Sequence, residues 1–421
     1  MSVSLTIYAT LSRLAGTLLR GAACLRPDSV LARRLAVDDD AGAPFPVGGI
    51  WVHGASVGEL VSARALVGAL RDALPELPLV ITANTSTGVA AAKAWDLPTA
   101  VVRLAPLDVP GAVGRFLDSF RPALMLTIEN EIWPNRAAAA RARGIPQVVV
   151  GARMSAKSAA RWGRLPGVIG PALSGLSALS AQDQDSEARL LRLGLSPNAV
   201  LPRLNLKLLA PAEVARRLPP VTHPARARTW LAASTHEGEE RVVLDAHAQA
   251  LRSVPDLRLI LAPRHPDRAD AVAALVAAAG FTPSRESLGQ PPGAVHLADT
   301  LGQMPRWYQA AGICLIGGTL TDRGGHTPWE PAAYACALLA GPDTRNHAEG
   351  FAALARADAI VKVTGPADLA RNLVHLASQP ARQAQMGADA RLVLLGNAGD
   401  PSGLVSRIVE LAPARADTDI N

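Results

Sequence analysis

The chain has 421 residues, long for one hydrophobic core, so two domains are expected. Its net charge of +6 favours anionic partners, while an aromatic content of 4% with no basic stretch interleaved with aromatics argues against nucleic acid. Cys24, Cys314 and Cys336 form neither a paired framework nor a metal-type spacing, which fits a reducing compartment.

The first predicted element is a helix over residues 3–18. Val3, Ile7, Leu11, Leu14 and Leu18 share one of its faces. Arg13, Arg20, Arg26, Arg33 and Arg34 add positive charge. A secretory signal would look similar at first, but no A-x-A cleavage site follows. No run of about 18 uncharged apolar residues occurs, so no spanning helix is expected. Two readings stand: a basic amphipathic helix lying on a membrane, or a helix packed on its own domain.

An acidic, proline-punctuated segment over 38–49 reads as the linker into the first domain. Strands are then predicted at 49–53, 79–83, 123–128 and 147–150, with helices at 59–74 and from Val89. The proline-rich stretch 202–224 breaks the rhythm and reads as an interdomain linker. Strands resume at 229–233, 258–262, 312–316 and 337–340, with helices between them. This alternation predicts an α/β fold of two Rossmann-like parallel-sheet domains facing across a cleft, plus the N-terminal amphipathic helix. The expected division is 1–37 for the membrane-associating helix region, 38–205 for the first domain and 206–224 for the linker. The second domain takes 225–400, and 401–421 is a C-terminal helix and tail.

Candidate sites cluster where strands end, the edge at which such sheets bind ligands. Trp51-Val-His-Gly-Ala-Ser-Val-Gly-Glu59 runs from a strand through glycines into a helix. Ser56 and Glu59 have capping-box spacing; a carboxylate there is equally placed to act as a general base. Thr327-Pro-Trp-Glu330 repeats the pattern, with Thr327 as N-cap and Glu330 at the third helical position. Glu330 is also placed to accept bonds from two ribose hydroxyls. Ser234-Thr-His-Glu-Gly-Glu239 suits a phosphate, or Ser234 or Thr235 is an ordinary N-cap. Within Pro263-Arg-His-Pro-Asp-Arg268, Arg264 either meets a base or phosphate or belongs to a solvated turn. Glu129-Asn-Glu131 ends another strand and offers one or two site carboxylates. Asp183-Gln-Asp185 has D-x-D form, but its place at a helix start favours a capping role. No H-E-x-x-H, P-loop or strict G-x-G-x-x-G occurs, so no metal, ATP or NAD cofactor is expected.

Taken in order, these segments resemble the 3-deoxy-D-manno-octulosonic acid (Kdo) transferases. The resemblance runs through Ala55-Ser-Val-Gly-Glu59, Pro106-Leu-Asp-Val-Pro110, Glu129-Asn-Glu-Ile-Trp-Pro-Asn135 and Ala152-Arg-Met-Ser155. It continues through Ala233-Ser-Thr-His-Glu-Gly-Glu239, Pro263-Arg-His-Pro266 and Gly324-Gly-His-Thr-Pro-Trp-Glu-Pro331. It implies a metal-independent, inverting GT-B glycosyltransferase of lipopolysaccharide synthesis at the cytoplasmic face of the inner membrane. It implies CMP-Kdo as donor, bound by the second domain, and a phosphorylated lipid A precursor as acceptor, bound by the first. By the family's motifs Glu59 is the base, and Glu129 and Lys207 stabilise the transition state. CMP contacts fall on Pro263 and Arg264, on Leu301, Gly302 and Gln303, and on Thr327, Pro328, Trp329 and Glu330. Arg153, Lys157, Arg161 and Arg164 are either contacts for the acceptor's phosphates or solvated helix charges. The chain departs from the family at Leu204, where glycine is usual, at Thr327, where asparagine is common, and at Gln303, where glutamate is common. A different nucleotide-sugar enzyme on the same fold, a UDP-sugar transferase or an epimerase, is the rival reading. A nucleotide-binding membrane-surface protein without turnover is another.

Overall fold

The computed structural model describes residues 3–26, 29–35, 48–129, 132–219 and 223–412. The chain divides into two compact units, the first running to Ala210 and resuming at Ala398, the second spanning Pro211–Asn397.

The first unit is built on a parallel sheet of β1 (Ile50–His53), β2 (Leu79–Ala83), β3 (Ala100–Leu104), β4 (Leu124–Ile128), β5 (Gln147–Ala152), β6 (Ala178–Ala181) and β7 (Val200–Leu201). Their order is β3-β2-β1-β4-β5-β6-β7. The second unit holds β8 (Thr229–Thr235), β9 (Arg258–Pro263), β10 (Pro283–Arg285), β11 (Val295–Leu297), β12 (Ile313–Ile316), β13 (Ala337–Ala340) and β14 (Ile360–Lys362). These lie in the order β10-β11-β9-β8-β12-β13-β14, all parallel. Both sheets are doubly wound, and the strand order reverses between β1 and β4 and between β8 and β12. Central strands such as β1, β2, β4 and β12 are buried along their whole length, as helices on both faces require.

The strands expected from composition are all present. Six more were not expected: β3, β6, β7, β10, β11 and β14. β3, Ala-Val-Val-Arg-Leu, is a partly exposed edge strand, and the other five are only two to four residues long, as in the Ala-Leu-Ser-Ala run of β6. Their apolar signal falls below what periodicity detects.

The two units group the chain differently from the expected division in three places. The proposed linker 206–224 is mostly a helix, Leu206–Arg217, and the division between units falls inside it at Pro211. Its Leu206, Leu209, Ala212 and Ala215 recur at helical spacing and are buried, which the prolines around them obscured. Residues 220–222 of that stretch lie outside the described residues, as does most of the 38–49 segment. The C-terminal helix Ser402–Leu411 is part of the first unit, where Leu404 and Ile408 complete the core under β1 and β2. The tail from 413 onward lies outside the described residues.

The N-terminal helix, Val3–Cys24, is also part of the first unit rather than a separate region. Tyr8 donates its hydroxyl to Asp108 Oδ2 at 3.0 Å, and Asn135 Nδ2 donates to Ser12 Oγ at 2.9 Å. Asp108 also accepts the main-chain N–H groups of Asn135 (3.2 Å) and Arg136 (2.8 Å), the first turn of helix Pro134–Ala142. One carboxylate therefore caps one helix and pins another. This accounts for the Asp within Pro106-Leu-Asp-Val-Pro110 and for the Asn that follows Trp133-Pro. Leu5 and Ala9 face inward, while Val3, Ile7, Leu11, Leu14 and Leu18 are exposed. One face thus packs on the unit, as the second reading of this helix expected, and the opposite face is apolar and exposed.

Replacing Asp108 by Ala strips acceptors from two main-chain donors and one hydroxyl. The expected loss is about 2–4 kcal/mol of unfolding free energy, read by urea denaturation. A loss below about 1 kcal/mol would show that the carboxylate does not hold these helices together.

Candidate functional site

In the first unit the candidate residues stand at the reversal point beside the carboxyl ends of β1 and β4. His53 ends β1, buried, with Nδ1 2.9 Å from Thr82 Oγ1. The chain then turns through Gly54, where a Cβ would lie 3.0 Å from Leu60 Cδ2. Ser56 caps helix Val57–Ala73, accepting the Glu59 N–H at 3.3 Å. Glu59 reaches back with Oε2 to the Ala55 N–H at 2.7 Å, and Oε1 lies 3.4 Å from the Ser56 hydroxyl. The capping box is real, with the glutamate taking the N–H one residue before the cap. The half-buried carboxylate has one oxygen held at a fixed position and the other beside a hydroxyl.

Glu129 follows β4 with φ of 55°, a left-handed conformation for a residue with a side chain. Its N–H still donates to Val150 O at 2.8 Å, so the distortion begins while the chain is held in the sheet. Its Oε1 is 3.6 Å from Lys207 Nζ. Lys207 stands in the first turn of helix Leu206–Arg217, and the chain leading into it is anchored by Leu204, which is buried and donates its N–H to Ala181 O at 2.9 Å. Leu204 therefore packs into the core and fixes the start of this helix. Glu131 lies outside the described residues. Arg153, Lys157, Arg161 and Arg164 are exposed, on and around helix Ala156–Trp162. Asp183 caps helix Gln184–Arg192 by accepting the Ser186 N–H at 2.7 Å, and Asp185 pairs with Arg189 at 2.6 Å. The D-x-D segment thus has a structural account in its own helix.

In the second unit a cavity of about 270 Å³ opens at the carboxyl ends of β8 and β12. Ser234, Arg264, Thr327 and Glu330 line it together with Tyr308, His326 and Pro331. Ser234 also has a left-handed φ, 57°. The two strand ends pack closely because Gly317 has no Cβ; one would lie 2.3 Å from Ser234 O. Gly324 and Gly325 follow with φ of 80° and 76°, which lets that turn fold under the cavity. Glu330 Oε2 accepts the Tyr308 hydroxyl at 3.2 Å. Burial and the neighbouring Glu330 raise the Tyr308 pKa well above its ordinary value, so it stays a donor. A larger cavity, about 430 Å³, lies at the amino ends of β8 and β9 beside Thr229 and Arg258. That is the wrong edge of a parallel sheet for ligand chemistry.

Not every expected nucleotide contact reaches the cavity. Thr235 is fully buried and donates to Glu240 Oε1 at 3.2 Å. Pro263 ends β9, in register with Thr235. Leu301 is exposed in the turn with Gly302 and Gln303 before helix Met304–Ala310, and none of the three lines the cavity. Trp329 is buried against Gly350, where a Cβ would meet its ring at 2.9 Å. Two caps are corrected. Helix Trp329–Ala333 is capped by Pro328, and Thr327 Oγ1 only accepts the Trp329 N–H at 3.4 Å. Neither Ser234 nor Thr235 caps the next helix; β8 runs through both, and Gly238, with φ of 95°, starts Glu239–Leu251. The cause is a bulge between Ala233 and Thr235, which prolongs the strand and delays the turn.

Several residues that build this site carried no assigned role in the sequence. Glu239 is buried and accepts three main-chain N–H groups: His236 (2.9 Å), Gly318 (2.8 Å) and Leu320 (2.9 Å). Glu240, also buried, pairs with Arg268 at 2.7 Å, which is what the last residue of the Pro263–Arg268 turn does. Tyr308 had no motif at all; its role appears only when the fold sets its helix against Glu330.

Two Rossmann-type units in one chain, each with a candidate site at its strand-reversal point, form the GT-B fold. The UDP-GlcNAc 2-epimerase from Neisseria meningitidis shares this fold, with a TM-score of 0.56 at 14% identity over 86% of this chain and 100% of that one. Residues 29–210 match the family model for 3-deoxy-D-manno-octulosonic-acid transferase (kdotransferase). The 3-deoxy-D-manno-octulosonic acid transferase of Haemophilus influenzae is 33% identical over 397 residues, 90% of each chain. That of Bordetella pertussis is 35% identical over 374 residues, 85% of this chain and 86% of its own. The chain belongs to the Kdo transferase family.

Glu239→Gln places an amide NH₂ where a main-chain N–H now finds an acceptor. The second unit should lose about 2–4 kcal/mol of stability, read by thermal unfolding. Unchanged stability would mean that the carboxylate is not what joins the β8 and β12 loops.

Proposed function

We propose that the protein transfers Kdo from CMP-Kdo to a phosphorylated lipid A precursor of the lipid IVA type, by a single inverting displacement. The acceptor is a sugar primary hydroxyl, too weakly acidic to attack unaided. Glu59 takes its proton as the oxygen attacks the anomeric carbon. Its fixed Oε2 orients the carboxylate, and the capping geometry serves the chemistry by holding the base still. Glu129 and Lys207 sit close enough to act together on charge that builds up in the transition state. CMP departs as a phosphate monoester whose charge meets Arg264 and main-chain N–H groups rather than a metal. Glu330, steadied by Tyr308, is positioned for ribose hydroxyls.

The observation that carries this reading is the gathering of Ser234, Arg264, Thr327 and Glu330, distant in sequence, around one polar cavity. They come together at the edge where a doubly wound sheet binds nucleotides. This gathering supports the cavity as the receptacle for the departing group in a chain of this family. Arg153, Lys157 and Arg161 are proposed to meet the acceptor's phosphates.

Glu59→Gln keeps the size of the side chain and an acceptor for the Ala55 N–H. Transfer should fall about 10²- to 10⁴-fold, with CMP affinity and melting temperature near wild type. Wild-type turnover would remove Glu59 from the chemistry. A large drop in melting temperature would make it a cap only.

The site of action is proposed to be the cytoplasmic face of the inner membrane. Among the described residues no helix is long and apolar enough to cross a membrane. The exposed stripe of Val3, Ile7, Leu11, Leu14 and Leu18 suits a helix lying in the headgroup boundary, with Arg13 and Arg20 favouring anionic lipid. In flotation with anionic vesicles the wild type should rise, and a Leu11→Ser, Leu14→Ser, Leu18→Ser variant should stay behind. The inward face is untouched, so stability should change by less than about 0.5 kcal/mol. Equal flotation of the two proteins would end the membrane assignment of this helix.

A further inference from the structure

At the cavity of the second unit stands a pair of groups that the chemistry above does not use, one lining it and the other bonded to the first. His326 lines the cavity, and its Nε2 lies 2.8 Å from Nε2 of His236. The two rings are within 10° of parallel with centroids 5.1 Å apart, which places them edge to edge as an in-plane N–H···N bond requires. His265 meets His236 edge-on at 5.9 Å, and Arg264 lines the same cavity. At 2.8 Å one ring must donate its Nε2–H and the other accept. Each neutral imidazole carries a single N–H, so the neutral pair forms this bond. An added proton goes to Nδ1 of the donor ring and leaves the bond intact. A further proton would set N–H against N–H and break it. Joined in this way, the two rings hold one positive charge or none.

We propose that His236 and His326 form a proton-linked oxyanion subsite, neutral in the empty cavity and taking up one proton when an anionic group of the nucleotide donor arrives. The inference rests on the reading of this cavity as the nucleotide site and adds how the site handles charge. A phosphate or a sugar carboxylate would supply the same oxyanion chemistry.

The surroundings favour this direction. Burial pushes the His326 pKa down to about 4, helped by His236, Arg264, His347 and His265. Burial also lowers that of His236; Arg323 and His265 add to the effect, and Glu239 and Glu240 oppose it. Glu239 is already engaged by three N–H groups and Glu240 by Arg268. Both imidazoles are therefore neutral near pH 7 without ligand. An arriving anion offsets the repulsion from Arg264 and Arg323 and raises the proton affinity of the pair. The sign follows: the complex holds a proton that the free protein lacks, so binding tightens as pH falls through the bound-state pKa. The gain stops below the free-state value.

Calorimetric titration of the full-length protein with cytidine 5′-methylphosphate tests this. That compound is a phosphodiester whose charge is constant near neutrality, so protons taken up belong to the protein. Titrations in buffers of different ionisation enthalpy should report uptake of a substantial fraction of a proton near pH 7. Affinity should rise about 3- to 10-fold from pH 8 to pH 6. Cytidine should bind without uptake if the phosphate is the source. If uptake appears only when free Kdo is added with the nucleotide, the carboxylate is the source. His236→Gln and His326→Gln should each abolish uptake. Imidazole ¹⁵N shifts of the wild type, with and without ligand, give the same answer without a substitution: one ring should become an imidazolium. Normal binding with no uptake and unchanged imidazole shifts overturns the proton linkage and leaves the nucleotide site standing. Absence of binding, or binding that Arg264→Ala does not weaken, overturns the nucleotide site and this proposal together.

Discussion

The second unit depends on one buried carboxylate. Glu239 opens a helix, yet its side chain turns back to collect N–H groups from its own loop and from the loop after β12. Those groups would otherwise be orphaned where two strand ends meet, since neither helix nor sheet supplies them an acceptor. With them gathered on one side chain, the end of β8 that carries Ser234 and the glycine turn that carries His326 keep a fixed separation. The cavity is the space that this leaves. The first unit uses the same device at Asp108, which collects the N–H groups of Asn135 and Arg136 and the hydroxyl of Tyr8. Glu59 uses the same device when it accepts the Ala55 N–H at 2.7 Å.

The two sites also share a backbone feature. Glu129 follows β4 and Ser234 sits at the bulge just before the end of β8, both at the reversal point of their sheet, and each has a left-handed φ without being glycine. Such residues cost about 1–3 kcal/mol and persist where the surroundings over-determine them. Here the surroundings are a ladder hydrogen bond to Val150 for Glu129 and the close approach of Gly317 for Ser234. The distortion turns a side chain away from the alternation of the strand and toward the ligand edge of the sheet. Glu129 meets Lys207 by this route, and Ser234 reaches the cavity by it.

Much of this was legible in the sequence, and the failures have physical reasons. The central strands were readable because a parallel sheet buried on both faces demands continuous runs such as Leu-Val-Ile-Thr-Ala and Ile-Cys-Leu-Ile. The edge strands were not, because β7, β10 and β14 are only two or three residues long. Glycine turns between strand and helix located both candidate sites. Capping residues were misread at Thr327 and Ser234, since a spacing rule does not register a bulge or a proline that shifts the helix start by a residue or more. The roles of Asp108, Glu239 and Tyr308 were invisible for a different reason. Each acts on a partner at least 22 residues away, and nothing local marks a carboxylate that is going to be buried among main-chain donors.

The central claim is that this chain moves Kdo from a cytidine nucleotide to a phosphorylated glycolipid without a metal. The direct measurement incubates purified full-length protein with CMP-Kdo and a tetraacylated, bisphosphorylated acceptor, with EDTA present, and reads the acceptor by mass spectrometry. Parallel arms replace CMP-Kdo with UDP-sugars. The account predicts an acceptor heavier by whole Kdo units in the first arm, equal yields with and without EDTA, and no product from UDP-sugars. An unchanged acceptor mass with CMP-Kdo, or product formed only from a UDP-sugar, would contradict it.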